Sequence, residues 1–315
     1  MAKRDLSRNL PAKKYSHSNP TELRLSFEFS GNSTQFIDIA RSLSAINRKF
    51  FSQQAYYYVS KVELYNNEDA FVDIHTLPDT WVTKNACRRG RAMLEKMNGL
   101  LDPAVSGLAA APYYDFKVYM SDRHRSTGSA DPQTYDINSA ANPEVPDEWR
   151  YSQLISADDD GDATQQADNF YLHVLGPHVG TAANWTSVGL IQSYQDSRST
   201  VATGADEAHV DITDPLLNLF DNSSEEQIND VASRLVFDND APPYAHDTYV
   251  GGANIGMAQQ ARLVTTATLG RTDSAPGFCA PMGLICVDPQ NTATAYRIVV
   301  TLAPGTYHGV YAERV

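Results

Sequence analysis

The chain has 315 residues, of which 20% are charged and 42% are hydrophobic, and its formal net charge is −13. This composition is typical of a globular protein and argues against a disordered chain. No apolar run reaches the roughly 18 residues that a transmembrane helix needs, so none is predicted. The acidic balance argues against a protein that coats nucleic acid with its whole surface.

The N-terminus has charges but no apolar stretch behind them, so we expect no secretory signal peptide and synthesis inside a cell. The three cysteines, Cys87, Cys279 and Cys286, are few and contain no CxxC pair. They favour buried thiols in a reducing compartment over a disulfide framework or a zinc site.

The first 14 residues form a short basic arm in which only Asp5 is acidic. One interpretation is a solvated tail. The other is an arm, residues 1–20, that reaches nucleic acid or lipid headgroups. Its basic residues are Lys3, Arg4, Arg8, Lys13 and Lys14.

Strand patterns dominate the first half of the chain. Residues 23–29 alternate strictly, with Leu23, Leu25, Phe27 and Phe29 on one face, and this predicts a half-buried strand. Further strands are predicted at 36–40, 56–65, 71–76 and 113–120. A polar stretch at 121–147 is too long for a simple connector, so we expect a surface loop with a short strand near Tyr135.

A helix is predicted over 79–99, between two sets of strands. Asp79 is a candidate N-cap and Gly99 a candidate C-terminal glycine. Gly90 lies in the middle of this helix, where it costs about 1 kcal/mol relative to alanine. Close packing against a sheet is expected to offset that cost.

The second half repeats this order of elements. Strands are predicted at 169–175, 188–194, 262–269, 283–287, 296–302 and 307–312, with weaker ones near 200–203 and 209–212, and a helix at 223–235. The first strands, the helices and the strands after them are each offset by about 146 residues, which suggests a β-architecture built twice. We therefore predict two barrels, residues 21–166 and residues 167–315.

Residues 158–162 place several carboxylates before a turn, which is typical of a calcium loop. The EF-hand spacing fails, because the first and twelfth positions would be Ser156 and Ala167. An exposed acidic turn and a calcium site of another type both remain open. The candidate ligands are Asp158, Asp160 and Asp162.

No familiar catalytic motif occurs in the chain. His173 and His178 are five positions apart across Gly176 and Pro177, which does not fit one helix face. There is no Walker loop, no GxGxxG and no GxSxG elbow. The sequence therefore predicts no enzyme and no cofactor, apart from the calcium alternative.

Tyrosine is abundant, with 17 residues, including Tyr56 to Tyr58 and the pair Tyr113 and Tyr114. Core and interface interpretations are both open for these side chains. Residues 237–244 contain two prolines and predict a rigid extended loop after the second helix.

The basic arm, the alternating strands, the inserted helix, the polar loops and the C-terminal strand pair resemble those of jelly-roll major capsid proteins of small icosahedral viruses. The segment that contains Asp240, Pro242, Pro243 and Tyr244, with Gly251 and Gly252 after it, is similar to a loop of coat proteins of single-stranded DNA viruses. The resemblance implies an all-β fold of one or two jelly-roll barrels. The short arm and the acidic chain favour a double jelly roll, and a single jelly roll with long insertions is the alternative.

The resemblance also implies a function and partners. The protein would be made in the host cytoplasm and would assemble into the icosahedral shell of a virion. Its partners would be copies of itself in a trimeric or pseudo-hexameric capsomer, minor capsid or vertex proteins, and the genome or internal membrane lipid facing the basic arm. Polar loops at 121–147 and 196–206 and the 240–244 loop would lie exposed or at subunit contacts. The alternative is a secreted or surface β-sandwich that binds or cleaves glycans.

Overall fold

The computed structural model describes residues 21–99, 113–138, 140–146, 148–156, 168–181, 184–198, 248–266, 268, 270–290 and 295–314. This part of the chain is mostly antiparallel β-sheet, as the all-β prediction requires. Within it, no helix combines the length and the apolar character needed to cross a bilayer. The predicted helix at 223–235 and the weaker strands at 200–203 and 209–212 lie outside the described residues.

Two antiparallel sheets pack face to face and form a sandwich; sheet I has five strands, four of them in its main order, and sheet II has four. In spatial order, the four main strands of sheet I are β1 (Arg24–Phe29), β15 (Tyr296–Leu302), β3 (Ala55–Tyr65) and β13 (Thr272–Ala280). Those of sheet II, in the same way, are β2 (Gln35–Asp38), β14 (Leu284–Pro289), β4 (Ala70–Thr76) and β12 (Ala258–Thr265). At the chain end, β16 (Pro304–Tyr307) leads to β17 (Ala312–Arg314), which pairs with the start of β3.

The sheets combine strands from both predicted barrels. Residues 24–29 pair with residues 296–301, and residues 57–65 pair with residues 272–280. The division predicted at residue 166 therefore does not coincide with a boundary between the two sheets. Instead, residues 77–257, here called the insertion, separate two consecutive strands of sheet II, β4 and β12.

The insertion carries its own small mixed sheet, sheet III, whose central strand pairs in parallel with two strands and antiparallel with a third. Its strands are β5 (Tyr119–Ser121), β8 (Gln153–Ser156), β9 (Asp168–Leu175), β10 (Val179–Thr181) and β11 (Asn184–Gly189), and a separate hairpin joins β6 (Gln133–Tyr135) to β7 (Ala141–Pro143). The helices of the chain's described part are α1 (Ile39–Asn47), α2 (Trp81–Asn98), α3 (Asp122–Thr127) and α4 (Leu190–Arg198), with a 3-10 turn at Pro281–Gly283.

Sheet II is buried on both faces over its β2–β14 half. Ile37 and Ile285 face sheet I in the sandwich core, while Phe36 and Leu284 face a second core shared with the insertion. This explains why β2 and β14 do not alternate in polarity, since a strand covered on both faces is apolar on both. The chain is thus layered as sheet I, sheet II and insertion.

Helix α2 confirms the helix prediction at 79–99, starting after Thr80, which caps its first turn. Gly90 lies where α2 meets α4. A Cβ built there would be 2.8 Å from Leu190 Cδ2 and 3.0 Å from Phe116 Cζ. Close packing is confirmed, although the nearest neighbours belong to a helix and to Phe116 rather than to a sheet.

Other local predictions were confirmed only in part. The predicted strand at 36–40 ends at Asp38, whose carboxylate caps α1, and the predicted strand at 188–194 turns into α4 at Leu190. The predicted strand at 113–120 is reduced to β5, and strand β13 was not predicted at all. The short strand expected near Tyr135 is present as β6.

Candidate subunit-contact surface

The residues predicted to carry function lie outside the described residues. This applies to the arm residues Lys3, Arg4, Arg8, Lys13 and Lys14, to the candidate calcium ligands Asp158, Asp160 and Asp162, and to the loop residues Asp240, Pro242, Pro243 and Tyr244. Within the described ranges, no group of three His, Cys, Asp or Glu side chains could hold a metal ion. These three predictions stay predictions.

A buried chain of hydrogen bonds runs from the sandwich into the insertion. Tyr151 Oη lies 3.2 Å from Asp38 Oδ2 and 2.6 Å from Ser129 Oγ. His124 Nε2 lies 2.7 Å from Ser129 Oγ. Because this series of hydrogen bonds links a histidine, a serine and an aspartate, we considered a nucleophilic triad.

The directions of these bonds do not fit a triad. Met120 N–H donates to His124 Nδ1 over 3.0 Å, so the ring proton is on Nε2 and is donated to Ser129 Oγ. Ser129 then donates to Tyr151, and Tyr151 donates to the Asp38 carboxylate. A general base would have to accept the Ser129 proton, and this histidine cannot do so. The role of this hydrogen-bond chain is structural, because it joins the insertion to the sandwich.

His173 and His178 also have structural partners. His173 is fully buried; its Nδ1 lies 2.6 Å from Ser187 Oγ, and its Nε2 lies 3.0 Å from Pro177 O. His178 Nδ1 accepts a hydrogen bond from Gly189 N–H over 3.1 Å. Burial lowers the pKa of His173, which keeps the ring neutral. The two side chains fix the β9–β11 region and do not converge on a ligand.

The predicted tyrosines divide between core and surface. Tyr57 is fully buried and Tyr56 nearly so, whereas Tyr113 and Tyr114 are 66% and 48% exposed. The core interpretation is confirmed for Tyr56 and Tyr57, and the interface interpretation stays a prediction for the exposed Tyr113 and Tyr114.

An aromatic patch lies where α2 begins beside α4. The Trp81 ring meets Tyr194 at 6.2 Å and Tyr249 at 5.9 Å between centroids, both edge to face. Trp81 is 39% exposed and the neighbouring Val250 is 63% exposed. Aromatic side chains that stay partly exposed in a cluster are typical of protein interfaces. We call Trp81, Tyr194, Tyr249 and Val250 the aromatic patch.

A second exposed group, the methionine patch, lies at the other end of α2. It consists of Met93, Met97, Tyr114 and Ile155. Ile155 N–H lies 3.3 Å from Met97 Sδ, and Asn98 donates to Tyr114 Oη over 2.7 Å. Methionine adapts its shape to irregular neighbours, which suits a contact surface.

Sequence reasoning missed the aromatic patch. Val82, Ala86 and Gly90 recur at four-residue steps and form an apolar stripe along α2. Trp81 lies next to this stripe, and a large apolar side chain just off it is the signal that could have indicated the patch. Tyr194 was assigned to a strand, and no pattern links it to Tyr249, because the two are distant in the sequence.

Comparison of the chain with protein-family models, with curated proteins and with solved structures gives no match.

Proposed function

We propose that this chain is a viral capsid protein built on a single jelly roll, with residues 77–257 inserted between its fourth and fifth strands. The observation that carries the proposal is the nested pairing of the eight sandwich strands. The first pairs with the eighth, the second with the seventh, the third with the sixth and the fourth with the fifth. This is the connectivity of a hairpin rolled into two sheets, as in jelly rolls.

The same pairing supports the single jelly roll, given above as the alternative, over two consecutive barrels. In a chain of two barrels, strand partners would come from the same half. Here β1 and β15, which open and close the sandwich, come from opposite ends.

A jelly roll also serves lectins and enzymes, so the fold alone does not give the function. The interior of this sandwich is filled by large side chains, among them Leu25, Phe27 and Tyr57, all fully buried. A ligand therefore has no room between the sheets. Binding is therefore expected on the outer surface, where the insertion presents the aromatic and methionine patches. Exposed apolar patches of this kind favour contact with other copies of the chain.

Sedimentation velocity and negative-stain microscopy of the full chain test the proposal. We expect capsomers or closed particles whose abundance rises with protein concentration. A strictly monomeric species at every concentration and salt level would contradict it, and a monomer that also binds a glycan array would favour the rival β-sandwich function.

Val250→Glu locates the contact. A carboxylate at this exposed position should cost the fold little, but burying it unpaired in an interface should weaken association about tenfold or more. Ile137→Glu is the matched control, because Ile137 is 98% exposed at the tip of the β6–β7 hairpin and lies outside both patches. Equal loss of association in both variants would move the contact away from the aromatic patch.

A further inference from the structure

The buried hydrogen-bond chain is one of several contacts between the insertion and the sandwich, beside the Ala130 N–H to Phe36 carbonyl bond and the shared apolar core. Asp38 ends β2 in the sandwich, and Ser129, Tyr151 and His124 belong to the insertion. Gln53 reinforces the junction, because its amide binds both Asp38 Oδ2 at 2.9 Å and the Val118 backbone at 2.6 and 3.0 Å.

The donor and acceptor directions of these hydrogen bonds require a neutral His124. Its Nδ1 must stay unprotonated to accept the Met120 N–H, and its Nε2–H must donate to Ser129. A second proton on the ring would face the Met120 N–H donor inside a site from which water is excluded, since His124 is fully buried. Protonation is therefore incompatible with the closed junction.

The groups around His124 offer no carboxylate that could stabilise an imidazolium by direct contact. Phe36 stacks on the ring at 4.7 Å between centroids, and Tyr119 and Tyr151 meet it edge to face at 5.2 and 5.8 Å. Arg41 of α1 adds a positive charge nearby, and its guanidinium is engaged with Asp131 at 2.5 Å. On α3 itself, the Asp122 carboxylate is paired with Arg125 at 2.8 Å.

We infer that the junction is an acid-sensitive latch, in which protonation of His124 releases the inserted segment around Met120 from the sandwich. Burial and Arg41 lower the pKa of His124 from 6.5 to about 3. The contribution of neutral His124 to the stability of the closed junction is thus complete above about pH 6.5. It is lost progressively as pH falls toward 3. The inference concerns a single copy of the chain and does not depend on self-assembly.

Asp38 acts in the opposite direction. Burial raises the pKa of Asp38 from 3.8 to about 6, against the lowering effects of the Arg41 N–H, Tyr151 and Gln53. The closed junction therefore gains stability as pH falls from about 6 toward 3.8. Because the His124 effect begins only about half a pH unit above the Asp38 effect, the two nearly cancel below about pH 6. The opening constant of the wild-type latch should therefore level off at a rise of about threefold near pH 5.

Hydrogen exchange measured by mass spectrometry on the full-length chain, corrected for the intrinsic pH dependence of exchange, tests the latch between pH 7.5 and 4. The opening constant of a peptide that covers residues 118–121 should rise about threefold between pH 7.5 and 5 and then level off. The opening constant of a peptide from β15 should stay unchanged over the same pH range. An equal rise in both peptides means global unfolding and overturns the inference, as does the absence of any rise at 118–121.

Two variants separate the groups. His124→Asn keeps an acceptor for the Met120 N–H but removes the imidazole, so the opening constant should fall rather than rise on acidification, owing to Asp38. Asp38→Asn should steepen the rise toward tenfold per pH unit. His308→Asn is the control, because His308 is exposed and its backbone φ of 51° suits asparagine. A wild-type rise retained in His124→Asn overturns the inference, and the Asp38→Asn slope decides the matter if His124→Asn does not fold.

Discussion

Gly90 shows how a single residue fixes the contact between two helices. A mid-helix glycine is costly, and sequence reasoning could say only that something must approach closely there. It could not identify Leu190 and Phe116 as that neighbour, because Leu190 had been assigned to a strand. Similarly, no pattern in the sequence indicated that Asp38, Ser129 and His124 would share one buried chain, since such polar groups are matched only in three dimensions.

Gly90→Val should lower the free energy of unfolding by about 2–3 kcal/mol, as overpacking in a core typically does. The first atom of the new side chain would already lie 2.8 Å from Leu190 Cδ2. Ala92→Val is the matched control, because Ala92 is exposed on the same helix and the substitution adds only the β-branched penalty of about 0.5 kcal/mol. Urea unfolding followed by circular dichroism measures both, and equal effects would show that α2 and α4 do not pack closely.

At the level of elements, period-2 alternation located β1, β3, β4, β9 and β15 well, because each has a strongly apolar core face. Strand β13 escaped prediction since it contains Pro276 and Gly277, which are unfavourable in strands but tolerated at the edge of a sheet. The α1 and α4 errors share a cause: a short apolar run fits a strand and a buried helix equally well. Strand partners were not predictable, because alternation fixes which face is buried and not which strand lies alongside.

A cross-strand disulfide tests the pairing of the chain ends. Ser26 and Val299 are directly opposed on β1 and β15, a geometry within reach of a disulfide. The double variant Ser26→Cys, Val299→Cys should cross-link on oxidation and migrate faster on non-reducing gels, with the linked peptides identified by mass spectrometry.

Val300→Cys in place of Val299→Cys is the control for this pair. Val300 faces the sandwich core and its side chain points away from Ser26, so no cross-link should form. Two independent barrels, residues 21–166 and 167–315, would give no cross-link in either variant.

At the level of the whole molecule, charge and apolar surface oppose each other. The chain carries a net charge of −13, so copies would repel one another, while we propose that the aromatic and methionine patches favour contact. The net charge, and hence the repulsion, follows from composition alone. The patches could not be predicted from the sequence, because α2, α4 and Tyr249 come together only in the folded insertion.

This balance predicts how the proposed assembly depends on salt. The Debye screening length falls from about 10 Å at 0.1 M salt to about 3 Å at 1 M. This weakens the electrostatic repulsion between copies and leaves apolar contacts intact. The protein concentration at which capsomers or particles form should therefore fall as sodium chloride is raised from about 0.1 to 1 M, as measured by light scattering. The chain lacking residues 1–14 should follow the same trend, since those residues contribute the basic arm and neither patch. Assemblies that dissociate in salt would instead be held by ion pairs or by nucleic acid bridging the arms, and the shortened chain would then lose the effect if the arms are responsible.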